Sequence, residues 1–332
     1  MNNQVRTVIA GIGSYVPDTI LTNDQLAGMV DTNDEWITQR TGIKQRRVIG
    51  QAEYGSAGLA ARAARAACQA AKLDPSQLDM IICATITPET LCPATACYVQ
   101  ADLGAAKAVA FDISAACSGF IYAMAVGEKF IQSGSHKNVL VIGAETLTRF
   151  TDYTDRSSCI LFGDGAGAAV LQPAPSGSDR GICYTTLHTD GTGGDLIYIP
   201  AGGSRLPASA QTVAGGQHFL KLRGREVYKF AVEKMQWLLE DCMRACNLSP
   251  QDVALVVPHQ VNSRVIESAA DKLKFPLDKV LVNIDRYGNT SSASIPIALD
   301  EAWRAGRIKP GDTVILIAFG AGLTWAGAVV KF

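Results

Sequence analysis

The chain repeats itself at a fixed interval of 175 residues. Residues 73–82, LDPSQLDMII, recur as residues 248–257, LSPQDVALVV, and the apolar run VLVIG from Val139 recurs as VILIA from Val314. Self-similarity at one offset indicates two copies of a single unit in tandem. No other feature constrains the fold as strongly, because each copy has to form the same elements in the same order.

The repeat also places the domain boundary. A stretch rich in proline, glycine and serine, PAPSGSD at 173–179, separates the copies, so we predict one half at residues 1–174 and the other at 175–332. Within each half, runs typical of strands alternate with runs typical of helices, which predicts a layered α/β fold with helices covering the sheets. At 48% hydrophobic residues, the chain can bury a core in both halves.

Charge and hydropathy exclude several classes of function. The formal net charge is −1 and no long basic run occurs, so there is no global electrostatic basis for binding nucleic acid. A local basic patch for an acidic partner stays open. No segment reaches the ~18 apolar residues of a membrane span, and the amino terminus lacks the pattern of a signal peptide. We therefore expect a cytoplasmic protein with no membrane partner.

The nine cysteines do not resemble a disulfide framework, because their number is odd and they are scattered along a long chain. We expect reduced thiols. Cys92 with Cys97, and Cys242 with Cys246, are spaced closely enough for metal ligands, but no histidine lies near either pair in the sequence. We therefore expect no metal site.

Cys117 lies where an apolar strand is predicted to run into an apolar helix, within VAFDISAACSGFIY at 109–122. The first turn of a helix has unpaired backbone N–H groups and the positive end of the helix dipole, and both stabilise an anion. We predict that this junction favours the thiolate, which is the reactive form of cysteine. The alternative is a cysteine packed in the core as a small hydrophobic side chain.

Two polar residues of the second half are expected to meet Cys117. His259 follows the predicted strand ALVVP, and Asn289 precedes the helix that the repeat pairs with the helix after Cys117. Because Cys117 corresponds to Ser292 in the repeat, equivalent elements should meet at a pseudo-twofold axis. Such a set suits carbon–carbon bond formation, in which cysteine holds an acyl group and the other two stabilise an enolate. A buried imidazole and a turn or helix-capping asparagine are the alternatives.

The segment DEWITQRTGIKQRRV, residues 34–48, joins Trp36 to Arg40, Arg46 and Arg47. An indole beside several cations can stack a nucleotide base and pair with phosphates. A solvated loop that is anchored by one tryptophan is the alternative.

Three other patterns are excluded. The glycines from Gly163 to Gly167 lack the GxGxxG spacing of a dinucleotide-binding loop, and no GxSxG nucleophile elbow occurs. Papain-like proteases also order Cys, His and Asn, and the interval of 142 residues from Cys117 to His259 fits that family. Their cysteine, however, lies in CGSCW near the mature amino terminus, whereas Cys117 belongs to a duplicated α/β scaffold.

Six motifs occur in order along the chain: DEWITQRTGI at 34–43, SAACSGF at 114–120, FGDGAGAAVL at 162–171, PHQVN at 258–262, GNTSSASIP at 288–296 and FGAGLTWAGA at 319–328. Together they closely resemble the β-ketoacyl-acyl carrier protein synthase III family of the thiolase-fold superfamily, over essentially the whole chain. The resemblance implies a thiolase-like duplicated five-layered αβαβα fold and a homodimer.

The resemblance also implies the reaction. An acyl-CoA primer, typically acetyl-CoA, acylates Cys117, and malonyl-acyl carrier protein is then decarboxylated and condensed to a 3-ketoacyl product, with His259 and Asn289 completing the catalytic triad. The coenzyme A thioester is a substrate, and no permanently bound cofactor is implied. The alternative is a related condensing enzyme of polyketide, quinolone or long-chain β-ketoacid synthesis.

Further roles follow from the same resemblance. The backbone N–H groups of Cys117 and Ala321 are expected to form the oxyanion hole. The expected CoA-binding residues are Thr32, Trp36, Arg40, Arg156 and Asn262, with Trp36 and Arg156 on either side of the adenine. The expected acyl-pocket residues are Cys92, Leu161, Phe162 and Phe319. The expected carrier-protein contacts are Lys229 and Arg264.

The sequence departs from the family pattern at two positions. The family's FGGG is FGAG here, so Ala321 has to supply a backbone donor, which its φ and ψ must permit. Cys92, which precedes Pro93, stands where members often carry an aromatic residue that reaches into the partner's acyl pocket. Because the smaller side chain leaves room, we predict that the protein accepts primers longer than acetyl.

Overall fold

The computed structural model describes residues 5–51 and 54–332. In chain order the strands are β1 (Thr7–Tyr15), β2 (Ile20–Thr22), β3 (Gln45–Arg47), β4 (Met80–Ala84), β5 (Val109–Ile113), β6 (Val139–Thr146), β7 (Asp164–Pro173), β8 (Gly181–Thr189), β9 (Ile197–Tyr198), β10 (Lys221–Leu222), β11 (Leu255–Pro258), β12 (Thr313–Gly320) and β13 (Thr324–Lys331). The helices are α1 (Asn23–Ala27), α2 (Asp34–Thr41), α3 (Ser56–Ala70), α4 (Thr95–Leu103), α5 (Gly119–Gln132), α6 (Ala210–Ala214), α7 (Gly224–Ala245), α8 (Ser263–Lys272), α9 (Ile284–Tyr287) and α10 (Ser294–Arg304).

Two main sheets lie on either side of the segment that separates the sequence copies. The first has the strand order β1-β7-β6-β4-β5 and the second has the order β11-β12-β13-β8. The first sheet ends with Pro173 and the second begins at Gly181. In the first sheet, β4 and β6 pair in parallel and are buried along their whole length. Their continuous apolar sequences are typical of strands that are covered on both faces.

The helices complete five layers. One core packs α5 and α10 between the two sheets, with Phe120, Met124 and Leu299 among its buried side chains. A second core joins α3 and α4 to the other face of the first sheet. A third joins α7 and α8 to the other face of the second sheet. The layers therefore follow the order αβαβα, and the fold class predicted from the sequence is confirmed.

The repeat extends to single residues. The 3₁₀ turn Ala116–Ser118 precedes α5, and the 3₁₀ turn Ser291–Ala293 precedes α10 at the same offset. Their first residues, Ala116 and Ser291, have φ values of +46° and +47°. This left-handed conformation is uncommon for residues with a side chain, and it is costly. Both halves therefore build the same strained turn, and Ser292 occupies in the second half the place of Cys117.

The sequence predicts that the strand runs into a helix at Cys117, and this predicted helix start is wrong by two residues. The helix α5 begins at Gly119, and Cys117 lies in the 3₁₀ turn before it. The left-handed backbone of Ala116 cannot be part of a right-handed helix, so regular helix starts only after the turn.

Two short antiparallel ribbons lie outside the repeat. The strands β2 and β3 pair with each other and flank α1 and α2 in the chain. The strands β9 and β10 pair within the stretch between β8 and α7. Among the described residues, no helix combines the length and the apolar character that a membrane crossing requires.

Candidate active site

One cavity of about 480 Å³ is lined by residues of both halves. Cys117 comes from the first half, and His259 and Asn289 come from the second. The three side chains that the repeat predicted to meet therefore line the same cavity.

The turn that carries Cys117 is fixed by the second half. Thr324 donates its hydroxyl to the carbonyl of Ala115 at 3.0 Å. The thiol of Cys117 is partly exposed to the cavity, yet enclosure by protein raises its pKa from 9.0 to about 12. The Ser291 hydroxyl acts in the opposite direction without offsetting this rise.

The predicted preference of Cys117 for the thiolate is therefore wrong. A rise of this size corresponds to ~4 kcal/mol in favour of the thiol. The terminus of a helix supplies at most ~2 kcal/mol in the other direction. Desolvation decides the balance, and it depends on the tertiary enclosure of the turn rather than on the local strand-to-helix pattern.

A buried carboxylate beside the nucleophile was not identified from the sequence. Glu145, near the end of β6, is completely buried. It accepts hydrogen bonds from the Thr87 hydroxyl at 2.6 Å and from the Ile86 N–H, and its Oε1 lies 2.8 Å from the Ser292 hydroxyl. Burial raises the pKa of Glu145, and its charge in turn raises the pKa of Cys117. An ionisable residue inside the apolar run VLVIGAET was the available signal.

His259 follows β11 and is only 1% exposed. Its Nδ1 lies 2.7 Å from the Ser294 hydroxyl, which also accepts the Gln260 N–H. Among the described residues, Nδ1 is the only acceptor within reach of that hydroxyl's own proton, so Ser294 donates to Nδ1 and the ring carries its hydrogen on Nε2. Burial lowers the pKa of His259 to about 3. His259 is therefore a neutral hydrogen-bond donor on the cavity wall.

The lowered pKa makes stability depend on pH. An unfolded histidine takes up a proton below its ordinary pKa of 6.5, whereas folded His259 does so only near 3. The unfolded state binds more protons between these values, so the stabilisation is complete above 6.5 and decreases as the pH falls, by up to ~1.4 kcal/mol per pH unit. We expect the free energy of unfolding, measured by urea titration between about pH 7 and pH 5, to fall more steeply for the wild type than for His259→Gln. Equal slopes would show that His259 titrates normally in the folded protein.

Asn289 is fixed through its backbone and its side chain. Its N–H donates to the Leu161 carbonyl at 2.8 Å, and its carbonyl accepts the Gly163 N–H at 3.0 Å, with Phe162 opposite in a parallel bridge. Its Oδ1 accepts the Ser291 N–H at 2.8 Å. Because a backbone N–H only donates, this contact fixes which side-chain atom is the oxygen. Within the described residues the Asn289 NH₂ group has no hydrogen-bond acceptor, so it is available to a ligand.

Gly320 lies against the backbone of Cys117. A Cβ added at Gly320 would come within 2.6 Å of the Cys117 nitrogen and 3.2 Å of the Ala116 Cβ. Ala321 follows Gly320 and lines the cavity. The two residues that are expected to supply the oxyanion-hole amides, Cys117 and Ala321, therefore lie on adjacent backbone segments.

We expect Gly320→Ala to slow acylation of Cys117 by about 100-fold while the protein stays folded. The added methyl group must displace the Cys117 backbone, and a shift of about 1 Å at the reacting group costs a factor of this size. The rate is measured in a single turnover by intact mass. Gly203→Ala is the matched control, because a Cβ there meets no atom of the described residues within 4 Å. Wild-type acylation in Gly320→Ala would contradict a role for the Cys117 amide.

Trp36 lies at the mouth of the cavity together with exposed cations. The guanidinium carbons of Arg40 and Arg156 lie 4.5 and 4.8 Å from its ring centroid. Arg156 is fixed further by a 2.9 Å hydrogen bond to the Asp31 carbonyl. A base can therefore lie between Trp36 and Arg156, as the resemblance implies, only after Arg156 has moved.

The other expected CoA-binding residues divide into two groups. Asn262 lines the cavity, but its Nδ2 donates to the Arg40 carbonyl and its Oδ1 accepts the Arg264 N–H, both at 2.9 Å, so it fixes α2 against the start of α8. Thr32 does not line the cavity, and its buried hydroxyl has no hydrogen-bond partner in the part of the chain that the structure describes. Arg46 and Arg47, which the sequence placed beside the nucleotide site, do not line the cavity either.

Leu161, Phe162 and Phe319 line the cavity as expected for an acyl pocket. Cys92 is exposed and does not line it. Arg264 is exposed at the cavity's edge, and Lys229 is exposed on α7 outside the cavity.

The fold and the site together define a class of protein. Two α/β repeats enclose a cavity that is lined by a cysteine of one repeat and by a histidine and an asparagine of the other, which is the arrangement of thiolase-fold condensing enzymes. Comparison with known proteins gives the family. Residues 111–191 match the profile of 3-oxoacyl-[acyl-carrier-protein (ACP)] synthase III, and residues 243–332 match that of its C terminal. The chain belongs to the β-ketoacyl-acyl carrier protein synthase III family and is an acyltransferase.

Individual relatives agree along the whole chain. The β-ketoacyl-[acyl-carrier-protein] synthase III of Caldanaerobacter subterraneus subsp. tengcongensis is 52% identical over 332 residues, covering 100% of this chain and 99% of its own. The crystal structure of the Aquifex aeolicus synthase III is 45% identical with a TM-score of 0.89, covering 98% and 100%. The priming β-ketosynthase of the R1128 polyketide pathway is 33% identical with a TM-score of 0.90, covering 100% and 98%. The thiolase fold is thereby confirmed.

Proposed function

We propose that the protein joins the acyl group of a CoA thioester to malonyl-acyl carrier protein, with Cys117, His259 and Asn289 as its catalytic residues. The reaction is the initiating condensation of fatty-acid synthesis. The observation that carries the proposal is the meeting of a nucleophile from one half with two neutral donors from the other half in one cavity. The acyl group is transferred first to the Cys117 sulfur and then to the α-carbon of the malonyl group.

The first half-reaction forms the acyl-enzyme. The Cys117 sulfur attacks the thioester carbonyl, the bond from carbon to the CoA sulfur breaks, and the proton lost by Cys117 ends on the CoA thiol. The N–H groups of Cys117 and Ala321 donate to the oxyanion of the tetrahedral intermediate. Since burial keeps Cys117 protonated, its proton must leave as the new bond forms.

The second half-reaction forms the carbon–carbon bond. The malonyl thioester loses CO₂, and the electron pair released makes an enolate. The Nε2–H of His259 and the NH₂ of Asn289 donate to the enolate oxygen. The α-carbon then attacks the acyl carbonyl, and the bond to Cys117 breaks with its electron pair going to the sulfur, which takes up a proton from water to restore the thiol. The 3-ketoacyl product leaves on the carrier protein. Because the imidazole of His259 is neutral, it stabilises the enolate through the dipole of its N–H bond and keeps its proton.

The exposed cations at the mouth fit the charge of both substrates. Trp36, Arg40 and Arg156 offer an indole face and two guanidinium groups to the base and phosphates of CoA. Arg264 at the cavity edge and Lys229 on α7 offer cations to an acidic carrier protein. Coenzyme A enters as a substrate, and the steps above need no permanently bound cofactor.

We further propose that the protein is a cytoplasmic homodimer. β5 is an edge strand, and Val109 at its start is 53% exposed. Leu91 and Tyr98, on the segment that precedes α4 and on α4 itself, are 87% and 38% exposed. An apolar edge of this kind is covered when two copies pair across a twofold axis. Each subunit would comprise halves 1–174 and 175–332.

The proposed function is tested by intact-protein mass. The enzyme is incubated with acetyl-, butyryl- or octanoyl-CoA, and malonyl-acyl carrier protein or malonyl-CoA is then added. We expect an acyl adduct that malonyl-acyl carrier protein discharges with release of a 3-ketoacyl product. An enzyme that forms no adduct with any donor would contradict the priming role.

A second candidate is the priming of polyketide, quinolone or long-chain β-ketoacid synthesis. It is supported by the priming ketosynthase of the R1128 polyketide pathway, whose structure matches over 100% of this chain. The two candidates are separated when the acyl-enzyme is offered malonyl groups on a fatty-acid carrier protein and, in parallel, on a polyketide carrier protein. We expect discharge by the fatty-acid carrier protein, whereas discharge by the polyketide carrier protein alone would favour the second candidate.

Primer length provides a further prediction. Cys92 is exposed and does not line the cavity of its own subunit. Its side chain is therefore free to enter the acyl pocket of a partner subunit. We expect butyryl- to octanoyl-CoA to be turned over faster than acetyl-CoA, and we expect Cys92→Phe to lower kcat/KM for octanoyl-CoA by about 10-fold or more while acetyl-CoA is spared. Turnover of the longer donors that is equal to or poorer than that of acetyl-CoA would contradict this prediction.

A further inference from the structure

Arg46 is the largest fully buried side chain in the described part of the chain. Its guanidinium donates to the Leu21 carbonyl at 3.2 Å, to Asn23 Oδ1 at 2.9 Å and to the Ile160 carbonyl at 2.7 Å. None of these acceptors is charged, and Nε has no hydrogen-bond partner among residues 5–51 and 54–332. A buried cation without a counter-ion is unfavourable unless its hydrogen bonds have another role. The role of Arg46 is therefore better inferred from the chain segments that its hydrogen bonds connect than from its packing.

On one side, the hydrogen bonds of Arg46 reach the helix at the mouth of the cavity. Asn23, which accepts from Arg46, donates its Nδ2 to Asp34 Oδ1 at 2.8 Å and to the Ile43 carbonyl at 2.7 Å. Asp34 is the first residue of α2, the helix that carries Trp36. One asparagine therefore joins Arg46 to the first residue of α2 and to Ile43, which lies two residues beyond the end of α2.

On the other side, Arg46 reaches the segment that holds Asn289. The Ile160 carbonyl, which accepts from Arg46, immediately precedes residues 161–163, whose backbone pairs with Asn289. A Cβ added at Gly163 or at Gly288 would come within 3.1 or 3.2 Å of the Arg46 Cβ. The stem of Arg46 thus packs against the backbone on both sides of this pairing.

We propose that Arg46 is a positioning residue that fixes the pairing of residues 161–163 with Asn289 and connects it to α2. A planar guanidinium offers several donors in fixed directions, so it can join three chain segments at once, which an apolar side chain of the same volume cannot. The inference rests on the proposed function, in which Asn289 acts in the condensation half-reaction. The turn that carries Cys117 is held separately, by the close approach of Gly320 to the Cys117 backbone and by the Thr324 hydroxyl, which donates to the Ala115 carbonyl.

The test compares Arg46→Met with Arg47→Met. Arg47 lies on the same strand, but its hydrogen bonds go to the carbonyls of Pro17 and Asp18. For Arg46→Met we expect condensation from preformed acyl-enzyme to slow by about 30-fold or more, while the maximal rate of acylation changes by less than about threefold. We also expect KM for the acyl-CoA to rise, because α2 loses its connection. Arg47→Met should match the wild type in all three measurements.

Hydrogen exchange gives a readout that does not depend on the reaction. The amides of Gly163 and Asn289 donate into their mutual pairing, so peptides that contain them should exchange at least about tenfold faster in Arg46→Met. The exchange rates of peptides from β4 and β6 should be the same in Arg46→Met as in the wild type. If Arg46→Met does not fold, Arg46→Lys is used, since it keeps the charge and the stem but loses the fork of donors.

Three results would overturn the proposal: equal slowing of both half-reactions with a lowered melting temperature, unchanged condensation, or unchanged exchange at both peptides. The first would show that Arg46 only stabilises the fold. A wild-type enzyme that forms no acyl adduct would contradict the proposed function instead, and the exchange experiment would still decide whether Arg46 positions Asn289.

Discussion

Cys117→Ala is expected to form no covalent adduct with any acyl-CoA and to condense malonyl-acyl carrier protein more than about 1,000-fold more slowly than the wild type. Alanine keeps the small side chain that the 3₁₀ turn accepts but removes the sulfur that would hold the acyl group. Intact mass measures the adduct, and the 3-ketoacyl product measures condensation. An unchanged far-UV spectrum and melting temperature confirm that the variant is folded.

Another cysteine supplies a matched control for this prediction. Cys183 is exposed and free, so a reactive thioester reaches it readily from solvent. Cys183→Ala should keep the full adduct, because Cys183 does not line the cavity. An adduct that survives in Cys117→Ala, or that disappears in Cys183→Ala, would place the acyl group elsewhere and contradict the assignment of the nucleophile.

The architecture was predictable because the repeat is a property of local sequence. The buried strands of β4 and β11 and of β6 and β12 are apolar runs that can be compared directly, and the offset between them relates the elements that the two halves share. The same transfer placed Cys117 and Asn289 next to equivalent helices. The layered α/β architecture and the positions of these residues therefore followed from pattern and periodicity, whereas the number of layers was implied by the family resemblance.

The chemistry of individual groups was less predictable, because it depends on contacts between distant segments. Glu145 lies 147 residues from the Ser292 hydroxyl beside it, and Arg46 lies 114 residues from the Ile160 carbonyl to which it donates. No sequence window contains both partners of either pair. The thiolate prediction for Cys117 failed for the same reason, since the enclosure that raises its pKa is formed in part by residues of the other half.

Asn289→Asp is expected to leave acylation of Cys117 intact and to slow condensation by about 100- to 1,000-fold, the cost of removing one oxyanion donor. The two side chains have the same shape, and an aspartate oxygen can still accept the Ser291 N–H that fixes Asn289. The NH₂ group becomes an oxygen, which cannot donate to the enolate when ionised and repels its charge. The acyl-enzyme should therefore accumulate and persist after malonyl-acyl carrier protein is added, as followed by intact mass over time.

Asn262→Asp is the informative comparison, because it makes the same chemical change in the same cavity with the opposite expectation. Aspartate is as good a helix N-cap as asparagine, so α8 keeps its cap, but the donor to the Arg40 carbonyl is lost. We expect a raised KM for the acyl-CoA in the first half-reaction and a normal rate of condensation from preformed acyl-enzyme. If Asn289→Asp slowed both half-reactions equally, Asn289 would act on the fold of the cavity, since a donor to the enolate has no function until the malonyl group is decarboxylated.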